Sequence, residues 1–160
     1  MAKKAVIAGA SGLIGSNLLA ILLQQPEYEE VLVLVRKELV IKHEKLIQLV
    51  IDFDALDNSP ESITGNAMFC CLGSTQKKTP DLNNYRKVDY DYPLQLARIA
   101  SKNGISQYHL VSSLGANAAS SNFYIKMKGE VEDDMVSRAV FGSYYENFKS
   151  TFDRKSEKIP

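Results

Sequence analysis

The chain predicts a doubly wound α/β domain built on a parallel sheet, and three observations carry that expectation. Short apolar runs alternate with helix-patterned segments over short links. One run, Val31-Leu32-Val33-Leu34-Val35, is apolar at consecutive positions, as suits a strand buried on both faces. Another ends in the glycine-rich turn Gly9-Ala10-Ser11-Gly12-Leu13-Ile14-Gly15, which opens a helix.

Residues 3–8 read as the first strand. The turn after it has the spacing of a phosphate-binding strand-to-helix junction, G-x-x-G-x-x-G, and each glycine has a physical task. Gly9 lets the chain leave the strand sharply, Gly12 lets backbone N–H groups approach phosphates, and Gly15 lets the helix lie close to the sheet. A nucleotide is the expected ligand, with Gly9, Ser11, Gly12, Leu13, Ile14 and Gly15 as cofactor-binding residues; a tight turn in some other α/β protein is the plain alternative. The helix runs from Leu13 to Gln24 and is stopped by Pro26.

Val31–Val35 is the second strand, residues 46–51 the third, and Ala67–Leu72 the fourth, closed by Gly73. Leu94, Leu96, Ala97, Ile99 and Ala100 are spaced for one face of a helix between Pro80 and Gly104. Tyr108–Val111 is the fifth strand, ending in Ser112-Ser113, and a more polar helix spans about Asn122 to Arg138. The expected strand order is 3-2-1-4-5 in a single Rossmann-like domain over residues 1–138. Residues 139–160 form a divergent segment in which Val140–Tyr145 offers a poor sixth strand.

Composition narrows the function classes. Nineteen basic residues balance nineteen acidic ones, so no charge excess points to nucleic acid or an anionic membrane surface. No apolar run reaches the roughly 20 residues of a membrane span, and nothing at the N-terminus reads as a signal peptide. Cys70 and Cys71 are adjacent and read as small reduced residues at a strand end, and a cytoplasmic protein is expected. His109 reads as a core histidine and His43 as a surface one. No His, Cys, Asp or Glu cluster has metal-ligand spacing. Asp52 and Asp54 suit a cofactor-side turn better than acid–base catalysis.

Tyr124 and Lys128 stand four apart on the last helix and share a face. An ammonium beside a phenol favours the phenolate, which suits proton exchange, and a serine ending the preceding strand can hydrogen-bond the same substrate oxygen. The end of the second strand discriminates between NAD and NADP, since an acid there binds the ribose 2′-hydroxyl and arginine accommodates a 2′-phosphate. Arg36-Lys37 stands there, so NADP is expected over NAD.

The set resembles the short-chain dehydrogenase/reductase superfamily in its atypical, small NAD(P)-binding branch. The blocks carrying the likeness are Gly9–Gly15, Cys71-Leu72-Gly73-Ser74-Thr75, Lys87-Val88-Asp89-Tyr90-Asp91-Tyr92-Pro93, Leu110–Ala116 and Tyr124–Glu132, in family order. The resemblance implies Tyr124 as proton donor or acceptor and Lys128 as its activator and ribose ligand. It implies Ser113, with Ser112 beside it, as the group polarising a substrate carbonyl, Leu72, Gly73 and Ser74 as cofactor lining, and Asp52 near the adenine. Many extended relatives carry asparagine where this chain has Asp89, whereas the nearer branch has aspartate there, so the departure is not expected to disable the protein. The family also continues past the Tyr–Lys helix into elements that close a substrate pocket, where this chain diverges, so a shortened or altered C-terminal part is expected.

The function expected is thus an NADP-dependent oxidoreductase of the short-chain type acting on a small carbonyl or alcohol. A cofactor-binding regulator or redox sensor without turnover, and a remnant unable to hold its cofactor, are the other readings. A homodimer or a protein partner is compatible with all three.

Overall fold

In the computed structural model residues 2–58 and 61–137 are described. The expected sixth strand, Val140–Tyr145, lies outside them. Five parallel strands form one sheet: β1 (Lys3–Ala8), β2 (Tyr28–Val35), β3 (Leu46–Val50), β4 (Ala67–Cys70) and β5 (Gln107–Leu110), in the order β3-β2-β1-β4-β5. The central pairings set Ala5 against Val31 and Ala67, and Ala8 against Leu34 and Cys70.

Alternation along each strand sends neighbouring side chains to opposite faces. Val6, Ala8, Leu32, Leu34, Met68 and Cys70 share one core with Phe53, Leu56, Leu96 and Ala100. Ala5, Ile7, Val31, Val33 and Val35 share the other with Leu19, Leu22 and Leu23 of α1 (Leu13–Gln24). Both faces of the central strands are therefore covered, which is why the sequence of β2 is continuously apolar. β3 is an edge strand, and its Ile47 and Val50 are exposed.

The segment expected as one helix between Pro80 and Gly104 is a composite of three parts. α2 (Leu82–Arg86) starts at Asp81, whose carboxylate accepts the Asn84 N–H at 2.8 Å. A π-helical turn, Lys87–Asp91, follows, and α3 (Tyr92–Lys102) completes the run. Pro93 supplies a physical reason for the wider turn. It has no N–H to return to the Asp89 carbonyl and its ring crowds that group, and the preceding Tyr92 N–H reaches back to the Lys87 carbonyl. α4 (Phe123–Ser137) packs on α3 through Val131 and Met135 against Leu94 and Ala97. Gly129 lets α4 meet the loop before it, since a Cβ there would stand 2.2 Å from the Ala118 nitrogen.

Candidate functional site

The carboxyl ends of all five strands point to one rim of the sheet, where open α/β sheets bind ligands. At β1 the chain turns through Gly9 at φ +85°, a conformation that favours glycine, and a Cβ there would stand 2.6 Å from the Cys71 carbonyl carbon and oxygen. Gly15 is equally constrained, because its Cβ would fall 2.0 Å from the Gly9 oxygen. The tasks the sequence suggests for these two glycines match the packing.

Gly12 is different. Its φ is −81°, which any residue adopts, and the one backbone atom near an added Cβ is the Gly9 oxygen at 3.5 Å, an ordinary contact. The fold does not require glycine at 12. Gly12 is also the N-cap of α1 and offers no side-chain hydrogen bond, and no acid stands in the first turn. Ser11, Gly12, Leu13 and Ile14 are exposed around this uncapped helix start. First-turn N–H groups in that state carry the positive end of the helix dipole and suit an anion. A dinucleotide pyrophosphate is compatible with the turn, and the space beside Gly12 is open.

Past the carboxyl ends of β2 and β3 lies a cleft of about 560 Å³ lined by Arg36, Asp52, Phe53, Asp54, Lys87 and Tyr92, among others, a size usual for ligand pockets. The Arg36 guanidinium stands 5.8 Å from the Phe53 ring centroid, while neighbouring Lys37 is exposed. Asp52 accepts the Asp54 N–H at 2.9 Å, so the two acids form one turn. The Asp54 carboxylate in turn accepts from the Tyr92 hydroxyl at 2.7 Å and from Lys87 at 3.2 Å, which holds its carboxyl below the usual range. Burial, then the bond to Asp54, pushes the Tyr92 phenol up to about 12.

The loop after β4 joins the two halves of the rim. The Ser74 N–H donates to Asp89 at 2.9 Å, and Gly73 passes over the same carboxylate. The Lys128 ammonium stands 2.9 Å from the other Asp89 oxygen and 5.7 Å from the Tyr124 ring centroid. Leu72, Gly73, Ser74, Lys128 and Tyr124 are thus neighbours, but the charge that was to act on the Tyr124 phenol is paired with a carboxylate. Tyr85 lies parallel to Tyr124, with centroids 6.3 Å apart, and Phe123 flanks Tyr85 at 6.0 Å. Burial is the largest cause that pushes the Tyr85 phenol up to about 12, followed by the nearby Asp89 and Tyr124.

The serines at the end of β5 part company. Ser112 donates to the Glu132 carboxylate on α4, whereas the Ser113 hydroxyl reaches the Leu114 carbonyl at 3.3 Å. Among the described residues no hydrogen bond joins Ser113 to Tyr124.

Asp89, Glu132 and Tyr85 are the site residues that sequence reasoning did not assign. Pro93 in the middle of a helical pattern was a usable signal for the turn that presents Asp89. His109 is half-buried on the edge strand and stacks on Phe69 at 4.7 Å, with burial lowering its pKa; it is not a core residue. Burial pushes Cys71 up to about 11 and raises Cys70, so neither is an activated thiol. No group of three His, Cys, Asp or Glu side chains suited to a metal occurs among the described residues. Nor is any helix among them long and apolar enough to cross a membrane.

Comparison with known proteins bears on the family and the fold. Residues 5–136 match the NAD dependent epimerase/dehydratase family. The chain is 37% identical over 134 residues to Protein HTATIP2 of Rattus norvegicus, an alignment covering 81% of this chain and 55% of that protein. It is 33% identical over 138 residues to Protein FMP52, mitochondrial, of Debaryomyces hansenii, covering 83% and 60% respectively. The chain thus spans between half and two thirds of the length of these relatives. Among solved structures it resembles the ADP-L-glycero-D-manno-heptose-6-epimerase of Helicobacter pylori, with a TM-score of 0.71 and 18% identity over 88% of this chain and 52% of that one. It also resembles the Bordetella bronchiseptica enzyme WbmG in complex with NAD, with a TM-score of 0.64 and 18% identity over 81% of this chain and 48% of that one. At such identities the structural likeness speaks for the fold.

Proposed function

The chain belongs to the NAD dependent epimerase/dehydratase family, and from that premise we propose that it binds NADP and acts as a short-chain oxidoreductase on a small carbonyl or alcohol. One observation carries the proposal: the same rim of the sheet holds an uncapped helix start over a dispensable glycine and the Tyr124–Lys128 pair. When bound, the nicotinamide supplies or accepts hydride. In this proposal Gly9, Ser11, Gly12, Leu13, Ile14 and Gly15 hold the pyrophosphate. Arg36 and Lys37 hold the 2′-phosphate, Asp52 stands by the adenine, and Leu72, Gly73 and Ser74 line the far side. Ser113, with Ser112 beside it, orients the substrate oxygen. Tyr124 moves the proton at that oxygen, and Lys128 holds the ribose.

Titration of nucleotide-stripped protein with NADPH and NADH, followed by a carbonyl screen with NADPH, tests the proposal. Turnover that Tyr124→Phe abolishes while binding persists supports it; absence of binding to either nucleotide overturns it. A second reading, binding without turnover, draws support from Lys128 and Ser112, which are committed to Asp89 and Glu132. In that case NADPH binds and no carbonyl is reduced. A cytoplasmic location belongs to the proposal too, and fractionation tests it against the mitochondrial location in the names of the FMP52 relatives.

A further inference from the structure

Tyr124 stands in an apolar frame. Tyr85 lies parallel to its ring at 6.3 Å, Phe123 tilts against Tyr85 at 6.0 Å, and Leu82 lies one helical turn before Tyr85 on α2. Tyr85 is buried, whereas Leu82 and Phe123 remain 46% and 39% exposed. On the serine side Leu114, which follows Ser113 directly, is exposed as well. Large apolar side chains left open beside a few polar groups are the make-up of a small-molecule pocket.

The charges select the molecule that suits it. α2 and α4 supply the rings, and the cations on these helices are Arg86, Lys126 and Lys128. Arg86 stands 2.7 Å from one Glu130 oxygen and Lys126 3.9 Å from the other, while Lys128 stands 2.9 Å from Asp89. The helix starts are occupied too. The Asp81 carboxylate accepts the Asn84 N–H at the start of α2, and the Asn122 side chain accepts the Ile125 N–H at 3.1 Å at the start of α4. The start of α1, where the pyrophosphate is assigned, has no such cap. An anionic group brought against these rings would lose its water without gaining a free partner. An apolar group pays no such penalty and buries surface there.

We infer that Leu82, Tyr85 and Phe123 form the wall against which the substrate is held, and that this substrate is an uncharged carbonyl compound carrying an aryl or alkyl group. The inference rests on the function proposed above, with Tyr124 at the carbonyl oxygen and the apolar group on the wall. A carboxylated or phosphorylated carbonyl compound is disfavoured, because the cations and helix starts beside the rings are already engaged.

The probes are acetophenone and its para-carboxylate, which share ring and carbonyl and differ by one charge. Their binding to the chain saturated with NADP is read by saturation-transfer NMR; the oxidised nucleotide has no hydride to give, so affinity is read without turnover. The expected result is saturable binding of acetophenone, at least about tenfold tighter than that of its carboxylate. Phe123→Lys places a cation on the wall and should narrow that ratio about threefold or more, or invert it. Leu82→Lys, at the other exposed side chain of the wall, takes its place should Phe123→Lys fail to fold. A ratio that the new lysine leaves unchanged puts the ketone elsewhere and overturns the inference. Wild-type protein that holds NADP and binds neither probe, as a wall covered by protein would, overturns it too, as does equal binding of both. The dinucleotide reading survives each of these results. Wild-type protein that binds no nucleotide sinks both that reading and this inference.

Discussion

Two glycines three residues apart in one turn have opposite expected consequences when replaced by alanine. At Gly15 the new Cβ would stand 2.0 Å from the Gly9 oxygen and 2.7 Å from its carbonyl carbon. Ordinary contact begins near about 3.5 Å, so α1 and the turn must part by more than about 1 Å between two backbones that have no side chain to yield. Overpacking of this kind costs about 1–3 kcal/mol, and a rigid backbone partner on each side places Gly15→Ala near the top of that range. The better helix propensity of alanine returns about 1 kcal/mol. The net loss is about 2 kcal/mol, a fall of roughly 4–8 °C in Tm for a chain of this size. At Gly12 the contact is an ordinary 3.5 Å and φ is −81°, so Gly12→Ala costs no more than about 1 kcal/mol, the loss of a good N-cap. Its effect is expected on the ligand instead, with NADPH affinity falling at least about tenfold, or about 1.4 kcal/mol. Thermal melts and nucleotide fluorescence on the same samples read both quantities. A Gly12→Ala protein with undiminished affinity refutes the account of that glycine, and a Gly15→Ala protein as stable as wild type refutes the packing argument.

Arg36→Ala is expected to weaken NADPH about tenfold or more and NADH little, because its guanidinium is assigned to the 2′-phosphate alone; equal losses for both nucleotides contradict that assignment. Tyr124→Phe is expected to remove turnover and keep NADPH binding within about twofold, read by steady-state rates and titration. The Tyr85 and Tyr92 phenols, both pushed up to about 12 from an ordinary value of 10.0, give the fold an alkaline limit. Their raised pKa values contribute stability that is complete below about pH 10 and lost as the pH rises toward about 12. Urea midpoints at pH 9 and 11.5 should therefore fall more steeply for wild type than for Tyr85→Phe; parallel slopes refute this. The Asp54 carboxyl acts in the opposite direction, since its lowered value contributes stability above about pH 4 that is lost on further acidification. Asp54→Asn should flatten the acid limb of the same curve.

Where periodicity or local turn chemistry decides the structure, the sequence was enough. β2 is buried on both faces and announces it with five consecutive apolar residues; Gly15 is needed because of Gly9 and Ala10, within seven positions of chain, and the positive φ of Gly9 is as local, although its close approach to Cys71 is not. The parallel sheet followed from strands alternating with helices, and the strand order expected of a Rossmann-like domain was found. Partnerships across long separations were not legible. Nothing near Lys128 in sequence says that its charge faces Asp89, that Ser112 is bound to Glu132, or that Tyr85 lies on Tyr124. Helical spacing puts Tyr124 and Lys128 on one face, but a third element packed against that face decides where the ammonium points. The turn that places this third element follows from Pro93, a local cause with a distant consequence.

The central claim is that the Gly9–Gly15 turn and Arg36 hold a phosphorylated dinucleotide. Its most direct test is titration of the nucleotide-stripped chain with NADPH and NADH, followed by nucleotide fluorescence. The account predicts saturable binding with NADPH several-fold tighter than NADH. Failure of both nucleotides to bind contradicts it and leaves the glycine turn as a feature of the fold alone.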